Sequence, residues 1–208
     1  GMCVTKYTAE TYGITSITDL TDPDKMAIFD KDGDGTPDVW IGAPGWASTA
    51  IERIRAKSYG YDAVMDLKEY DGAVARGEVG AATAANEPWI GFCYEPHFIF
   101  VAYDMVYLEE PAHDPATWTI VQPTDDPQWL EKSEASTAWK GATLHLHYAA
   151  EVAEKFPEVA ALFDGYQMPA EVLSQMGKAM TLDGKSAEAF AREWVDANEE
   201  IVLGWLTN

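Results

Sequence analysis

Pro44-Gly45-Trp46-Ala47-Ser48-Thr49 stands between two periodic segments. Before it, the apolar run Val39-Trp40-Ile41-Gly42 predicts a buried strand, and after it Thr49 to Tyr59 predicts a helix. A strand that breaks at Pro-Gly and hands over to a helix makes a pocket mouth. The first amides of that helix have no partner inside it, so they suit an anion. The indole face of Trp46 at the same turn suits a cation. One turn thus has the chemistry for both ends of a zwitterion. The same stretch admits a plainer reading, with Trp46 in the core and Ser48 or Thr49 an ordinary N-cap.

Outward from that turn, short strands alternate with helices, which predicts an α/β layered fold. Ala50, Ile51, Ile54 and Tyr59 form one apolar face of the helix. Ala63-Val64-Met65 predicts a short strand, Leu67 to Ala85 a helix, and Pro88 to Tyr94 a second buried strand ending at Glu95-Pro96-His97. Val106-Tyr107-Leu108 predicts a third strand. Residues 109–141, with Pro111, Pro115, Pro123 and Pro127, read as irregular, and the acidic pair Glu109-Glu110 as a solvated edge. Thr143 to Tyr148 alternates and predicts a strand that puts His145 and His147 on one face. From Ala149 the pattern is helical. Phe190, Trp194, Ala197, Ile201 and Trp205 give a last helix a core-facing stripe.

Upstream, Asp24 to Phe29 predicts a short helix, and Asp30-Lys31-Asp32-Gly33-Asp34-Gly35-Thr36-Pro37-Asp38 follows it. Asp30, Asp32, Asp34 and Asp38 fall at the first, third, fifth and ninth places of a calcium loop of the EF-hand kind, with glycine at the sixth. The twelfth place is Ile41, which cannot ligate. A structural calcium ion and a bare Asp/Gly turn are both open.

The 208 residues carry 35 acidic and 14 basic side chains, a formal net charge of -21. Such a surface repels phosphate backbones, which excludes nucleic acid as a natural partner. No apolar run is long enough to span a bilayer, and residues 1 to 30 show no secretory signal pattern. The two cysteines, Cys3 and Cys93, read as buried thiols, with a disulfide left open.

Enzyme signatures are scarce: there is no GxSxG, HExxH, P-loop or CxxC. Aromatic residues at strand ends are the stronger signal. Trp46 ends one predicted strand and Tyr94 another. Ligands of open α/β sheets bind at the carboxyl ends of strands, where two rings can wall a quaternary ammonium group.

Further segments carry a resemblance. They are Tyr7-Thr8-Ala9-Glu10 with Tyr12-Gly13-Ile14-Thr15, Ile28-Phe29-Asp30, and Gly33-Asp34-Gly35. Pro44-Gly45-Trp46 is the sharpest of them, and Tyr94-Glu95-Pro96-His97 and Gln122-Pro123-Thr124-Asp125-Asp126-Pro127-Gln128-Trp129-Leu130 follow. Through them the chain resembles the substrate-binding proteins of glycine betaine/proline ABC importers. The resemblance implies one α/β lobe of a type II periplasmic-binding-protein clamshell plus C-terminal helices. Residues 1–145 would be the ligand-binding lobe. Residues 146–208 would be a helical segment that goes with an N-terminal lobe placed before Gly1, a lobe that also supplies a further aromatic wall. It also implies Trp46 and Tyr94 as walls around an onium group, with Tyr94 where the family commonly has Trp, and the amides of Ala47 and Ser48 for the ligand carboxylate. The expected role is non-enzymatic capture of glycine betaine or a related osmolyte outside the membrane, for delivery to an ABC permease. The expected partners are a small zwitterionic or cationic solute and that permease. No cofactor is expected apart from a possible structural calcium. Without the N-terminal lobe the chain is expected to self-associate. The competing readings are a hydrolase or other enzyme acting on a choline-like molecule, and a calcium-dependent structural module.

Overall fold

In chain order the elements are β1 (Met2–Thr5), α1 (Lys6–Tyr12), α2 (Pro23–Met26), β2 (Asp38–Gly42), α3 (Ala47–Tyr59), β3 (Asp66–Glu69), α4 (Gly72–Ala85) and β4 (Ile90–Phe92). Next come α5 (Ile99–Ala102), β5 (Met105–Tyr107), β6 (Trp118–Thr119), α6 (Trp129–Lys132) and β7 (Glu134–Ala135). The chain then continues through α7 (Glu151–Lys155), α8 (Pro157–Gly165), α9 (Ala170–Thr181), α10 (Ala187–Ala197) and α11 (Glu199–Trp205). This is a computed structural model, and it describes residues 1–206. They fall into two units. The first is Gly1–Tyr94 with Tyr103–Lys140; the second is Glu95–Ala102 with the chain from Gly141.

The first unit is built on a five-stranded sheet in the order β3-β2-β4-β1-β5. β2 runs parallel to β3 and β4, and β1 is antiparallel to β4 and β5. Val39 to Gly42 and all of β1 are buried, as interior strands covered on both faces must be. Met2, Val4, Ile14, Ile17, Leu20, Phe29, Ile41, Ile54 and Trp89 fill the core. Cys3 and Cys93 are joined in a disulfide with Cα atoms 5.8 Å apart, within the span such a bond requires. That ties β1 to the residue after β4 and replaces the buried thiols read from the sequence.

The edge strand is where the sequence reading slips. The strand expected at Ala63–Met65 lies at Asp66–Glu69, and the helix expected from Leu67 begins at Gly72. Asp66-Leu67-Lys68-Glu69 is charged because it is an edge strand, where charge blocks pairing with another chain. The stretch from 109 to 141 is not wholly irregular: β6 and β7 pair antiparallel, Trp118 opposite Ala135.

The second unit is helical. α5 packs against α9, where a Cβ on Gly177 would lie 3.5 Å from that of Phe98. The strand expected at Thr143–Tyr148 is absent. Its alternation has no partner strand to pair with, and Leu144 and Leu146 are exposed. The expected single last helix is two, α10 and α11, divided at Asn198. Of its stripe only Trp205 is buried, while Ile201 is half exposed. Trp194 stacks on Trp205 with centroids 5.8 Å apart.

Candidate ligand-binding site

β2, β3 and β4 are parallel, so their carboxyl ends, Gly42, Glu69 and Phe92, open onto one edge of the sheet. The loops after them carry Trp46, Tyr70 and Tyr94. Crevices outside the carboxyl ends of strands are where open α/β sheets hold ligands.

Helix α3 starts two residues earlier than expected, at Ala47, and Trp46 is its N-cap. Neither Ser48 nor Thr49 caps it. Thr49 is buried, and its hydroxyl donates to Ala43 O at 2.8 Å. This clamps the turn, while Gly42 gives it room: φ there is +132°, and a Cβ would collide with Thr49 Oγ1. Trp46 N–H donates to Ala43 O at 3.2 Å, and Thr49 N–H to Trp46 O at 3.1 Å. The indole offers no cap acceptor. Ala47 and Ser48, the first two residues of α3, therefore present amides that no helical carbonyl can reach, with the positive end of the helix dipole behind them.

The rings of Trp46 and Tyr94 lie 6.3 Å apart and nearly perpendicular, at 78°. They form a corner rather than two facing walls. Tyr94 is 41 % exposed and Trp46 half-buried, whereas Trp40 behind them is 7 % exposed. Trp40 meets Trp46 edge-on at 6.0 Å and donates its indole N–H to Tyr70 O at 3.0 Å. Tyr70 in turn donates its hydroxyl to Glu78 at 2.5 Å. Burial and the Glu78 carboxylate both raise its phenol pKa, so the ring stays neutral. Trp46 is thus backed by a fixed aromatic shelf.

Beside α3's first turn opens a cleft of about 370 Å³, lined by Trp46, Ala47, Arg53, Glu69, Gln122 and Trp129. Arg53 and Glu69 are ion-paired across it. Neither Gln122 nor Trp129 was expected at this site from the sequence. They come from the loop before α6 and the start of that helix, some eighty residues downstream, and only the tertiary fold brings them to this edge.

Of the expected apolar face of α3 only Ile54 is buried, and charge joins it in anchoring the helix. Its buried residues are Thr49, Glu52, Ile54, Arg55 and Ala56. Arg55 Nε lies 3.0 Å from Glu52 Oε1. The same guanidinium pairs with Glu110 and donates to Thr137 O. Glu52 also accepts from Trp139 Nε1 at 2.6 Å, and Glu110 from Tyr59 at 3.1 Å. Glu110 is therefore not on a solvated edge; its side chain is 7 % exposed. Burial alone would lower the Arg55 pKa, but Glu52 and Glu110 outweigh it and hold the guanidinium charged.

In the acidic loop, one carboxylate oxygen each of Asp30, Asp32 and Asp34 lies within 4.8 Å of the others. They also tie the turn: Asp30 accepts from Gly33 and Gly35 amides at 2.9 and 3.0 Å, and Asp34 from Thr36 at 2.8 Å. Asp38 is not among the three; it lies 3.0 Å from Lys68 Nζ. The rings of His145 and His147 are 6.3 Å apart, and both residues are exposed.

Residues 1–197 match a family described as the substrate binding domain of ABC-type glycine betaine transport systems. The glycine betaine/proline betaine-binding periplasmic protein of Salmonella typhimurium is 26 % identical over 215 residues, covering 99 % of this chain and 63 % of that protein. Its Escherichia coli counterpart is 24 % identical with the same coverage. The chain thus spans under two thirds of the length of these relatives. Among solved structures, lactococcal OpuAC in its closed conformation with glycine betaine superposes with a TM-score of 0.61 at 18 % identity, over 99 % of this chain and 66 % of that one. A choline-binding protein of an ABC transporter, in complex with choline, gives 0.60 at 15 % identity, over 99 % and 62 %. At these identities the structural likeness speaks for the fold: a mixed α/β lobe of the periplasmic-binding-protein kind with C-terminal helices.

Proposed function

The chain belongs to the family of substrate-binding domains of ABC-type glycine betaine transport systems, and we propose that it captures glycine betaine or a related quaternary ammonium osmolyte for an importer. The observation that carries this reading is the corner formed by Trp46 and Tyr94 beside the open amides of Ala47 and Ser48. The rings offer π faces to an onium group, and the amides offer donors to a carboxylate. The role is capture and release, with no bond made or broken. It is exercised on the periplasmic or extracellular face of the membrane, and the solute passes to an ABC permease. The relatives' names as periplasmic binding proteins support that location, as does the Cys3–Cys93 disulfide, a bond that persists in oxidising compartments.

Magnitudes set what this corner supplies. A cation–π contact contributes roughly 0.5–2 kcal/mol, while a micromolar Kd needs about 8 kcal/mol. Two rings supply part of that, and the carboxylate donors and further walls supply the rest. Titration calorimetry of the natural full-length protein against glycine betaine, proline betaine, choline and dimethylsulfoniopropionate tests the reading. Saturable heat with at least one of the four, absent in Trp46→Ala, is the expected result. No binding to any of them sinks it, and turnover of a choline-like substrate would move the protein to the enzymes.

We also propose that Asp30, Asp32 and Asp34 take up calcium weakly, as a structural ion. The closeness of the three carboxylates at alternate positions of the loop supports this.

A further inference from the structure

Arg76 stands one turn into α4, half-buried. In so acidic a chain most cations near the sheet edge are engaged: Arg53 pairs with Glu69, and Lys68 with Asp38 and Asp66. Arg76 has no hydrogen-bond or ion-pair partner among the described residues. Its guanidinium lies beside Gly72, the first residue of α4. A Cβ on Gly72 would lie 3.2 Å from Arg76 Nη1 and 3.0 Å from Trp46 Cη2. Guanidinium and indole therefore converge beside the same glycine, and that indole also neighbours Trp40 and Tyr94.

Resting on the functional reading above, we propose that Arg76 is a further ligand-binding residue, one that receives the carboxylate of a bound zwitterion and so selects betaines over choline-like cations. A half-buried guanidinium loses part of its hydration, and an arriving carboxylate restores its hydrogen bonds in a planar, two-pronged fit. The same charge repels an onium group, which leaves the onium end only the part of the corner nearer Tyr94. The zwitterion is thereby oriented: its positive end lies against the rings, and its negative end lies toward Arg76 and the first amides of α3. A cationic ligand with no carboxylate meets the repulsion and gains nothing in return.

The test is the ratio of glycine betaine to choline affinity, measured by calorimetry on the natural full-length protein and its Arg76→Met and Arg76→Lys variants, with melting temperatures recorded for each. Arg76→Met should lower the ratio at least ten-fold. Arg76→Lys should keep more of it, since the charge remains while the fork is lost. If Arg76→Met weakens both ligands alike, or leaves the ratio unchanged while glycine betaine still binds, the assignment of Arg76 is wrong and the functional reading stands. If the unaltered protein binds neither probe, the functional reading falls and the role of Arg76 falls with it.

Discussion

Trp46 lies over Gly72, so close that a Cβ on that glycine would stand 3.0 Å from Cη2 of the indole. Gly72 is also the first residue of α4 and is buried. Gly72→Ala therefore sets two effects against each other. Alanine is the better helix former by roughly 1 kcal/mol in a helix interior, and by less at a terminus, but its methyl pushes the ring off its shelf. The expected outcome is a melting temperature near that of the unaltered protein together with a several-fold loss of glycine betaine affinity and a shift in tryptophan fluorescence. Unchanged affinity would mean the ring's position over α4 is immaterial to binding.

The pairing of Trp46 with Tyr94 was legible because each residue follows an apolar run that ends in a turn, and the ends of two neighbouring parallel strands, β2 and β4, share an edge. Arg76 was not legible. Its place depends on α4 beginning at Gly72, and an edge strand too charged to look like a strand hid that boundary. Glu52 and Arg55 were hidden for a related reason. Charges on a helix read as its wet face, and only Glu110, Thr137 and Trp139, all distant in sequence, turn that face inward. Alternation without a partner strand misled at Thr143–Tyr148, since periodicity states which face a strand would bury and not whether a neighbour exists.

Arg55→Met should be severely destabilising. It keeps much of the volume but leaves Glu52 and Glu110 as two buried carboxylates facing each other. Breaking one partner of a buried pair costs about 3–5 kcal/mol. Chemical denaturation should show this, and adding Glu52→Gln and Glu110→Gln should recover a good part of it. A loss below about 1 kcal/mol in the single variant would show that water reaches the network.

Asp19 gives a pH dependence of known sign. Its carboxylate accepts from the amides of Thr15 and Ser16, both at 2.9 Å, and pairs with Lys25 at 2.5 Å. Burial raises its pKa, but the bonds from Lys25 and the two amides outweigh it and hold the pKa below the usual 3.8. The folded state thus favours the ionised form more than the unfolded chain does. The stability this contributes is complete above the ordinary carboxylate range and is lost as pH falls through the depressed value. Asp19→Asn should cost about 1 kcal/mol at neutral pH, the usual worth of such a cap, and the difference should shrink in urea melts run at pH well below 3.8. A gap that stays constant with pH would assign the loss to packing.

Calcium at Asp30, Asp32 and Asp34 should show in thermal melts. For a Kd of about 1 mM, in the range of extracellular modules, 10 mM calcium adds about 1.4 kcal/mol. That raises Tm by roughly 3–6 °C in a protein of this size. The shift should appear in EDTA-treated protein on adding calcium and vanish in Asp30→Asn. Identical melts with and without calcium would leave the loop as a turn held by its own carboxylates.

The sharpest separation of site from core comes from two tryptophans. Trp46 is half-buried at the sheet edge, with Tyr94 at 6.3 Å, while Trp194 stacks on Trp205 within the helical unit. Trp46→Ala in the natural full-length protein should weaken glycine betaine binding by roughly ten-fold or more, the upper end of what one desolvated cation–π contact supplies. Trp46→Phe should weaken it less, because a ring face survives. Trp194→Ala should lower stability by about 3–5 kcal/mol if its stack is as closely packed as a core site, and where the fold persists it should leave affinity alone. The two variants thus move different readouts, calorimetric affinity and denaturation midpoint. If Trp46→Ala instead lowers the midpoint as Trp194→Ala does, and glycine betaine binds as before, then Trp46 packs rather than recognises, and the onium site lies elsewhere on this edge of the sheet.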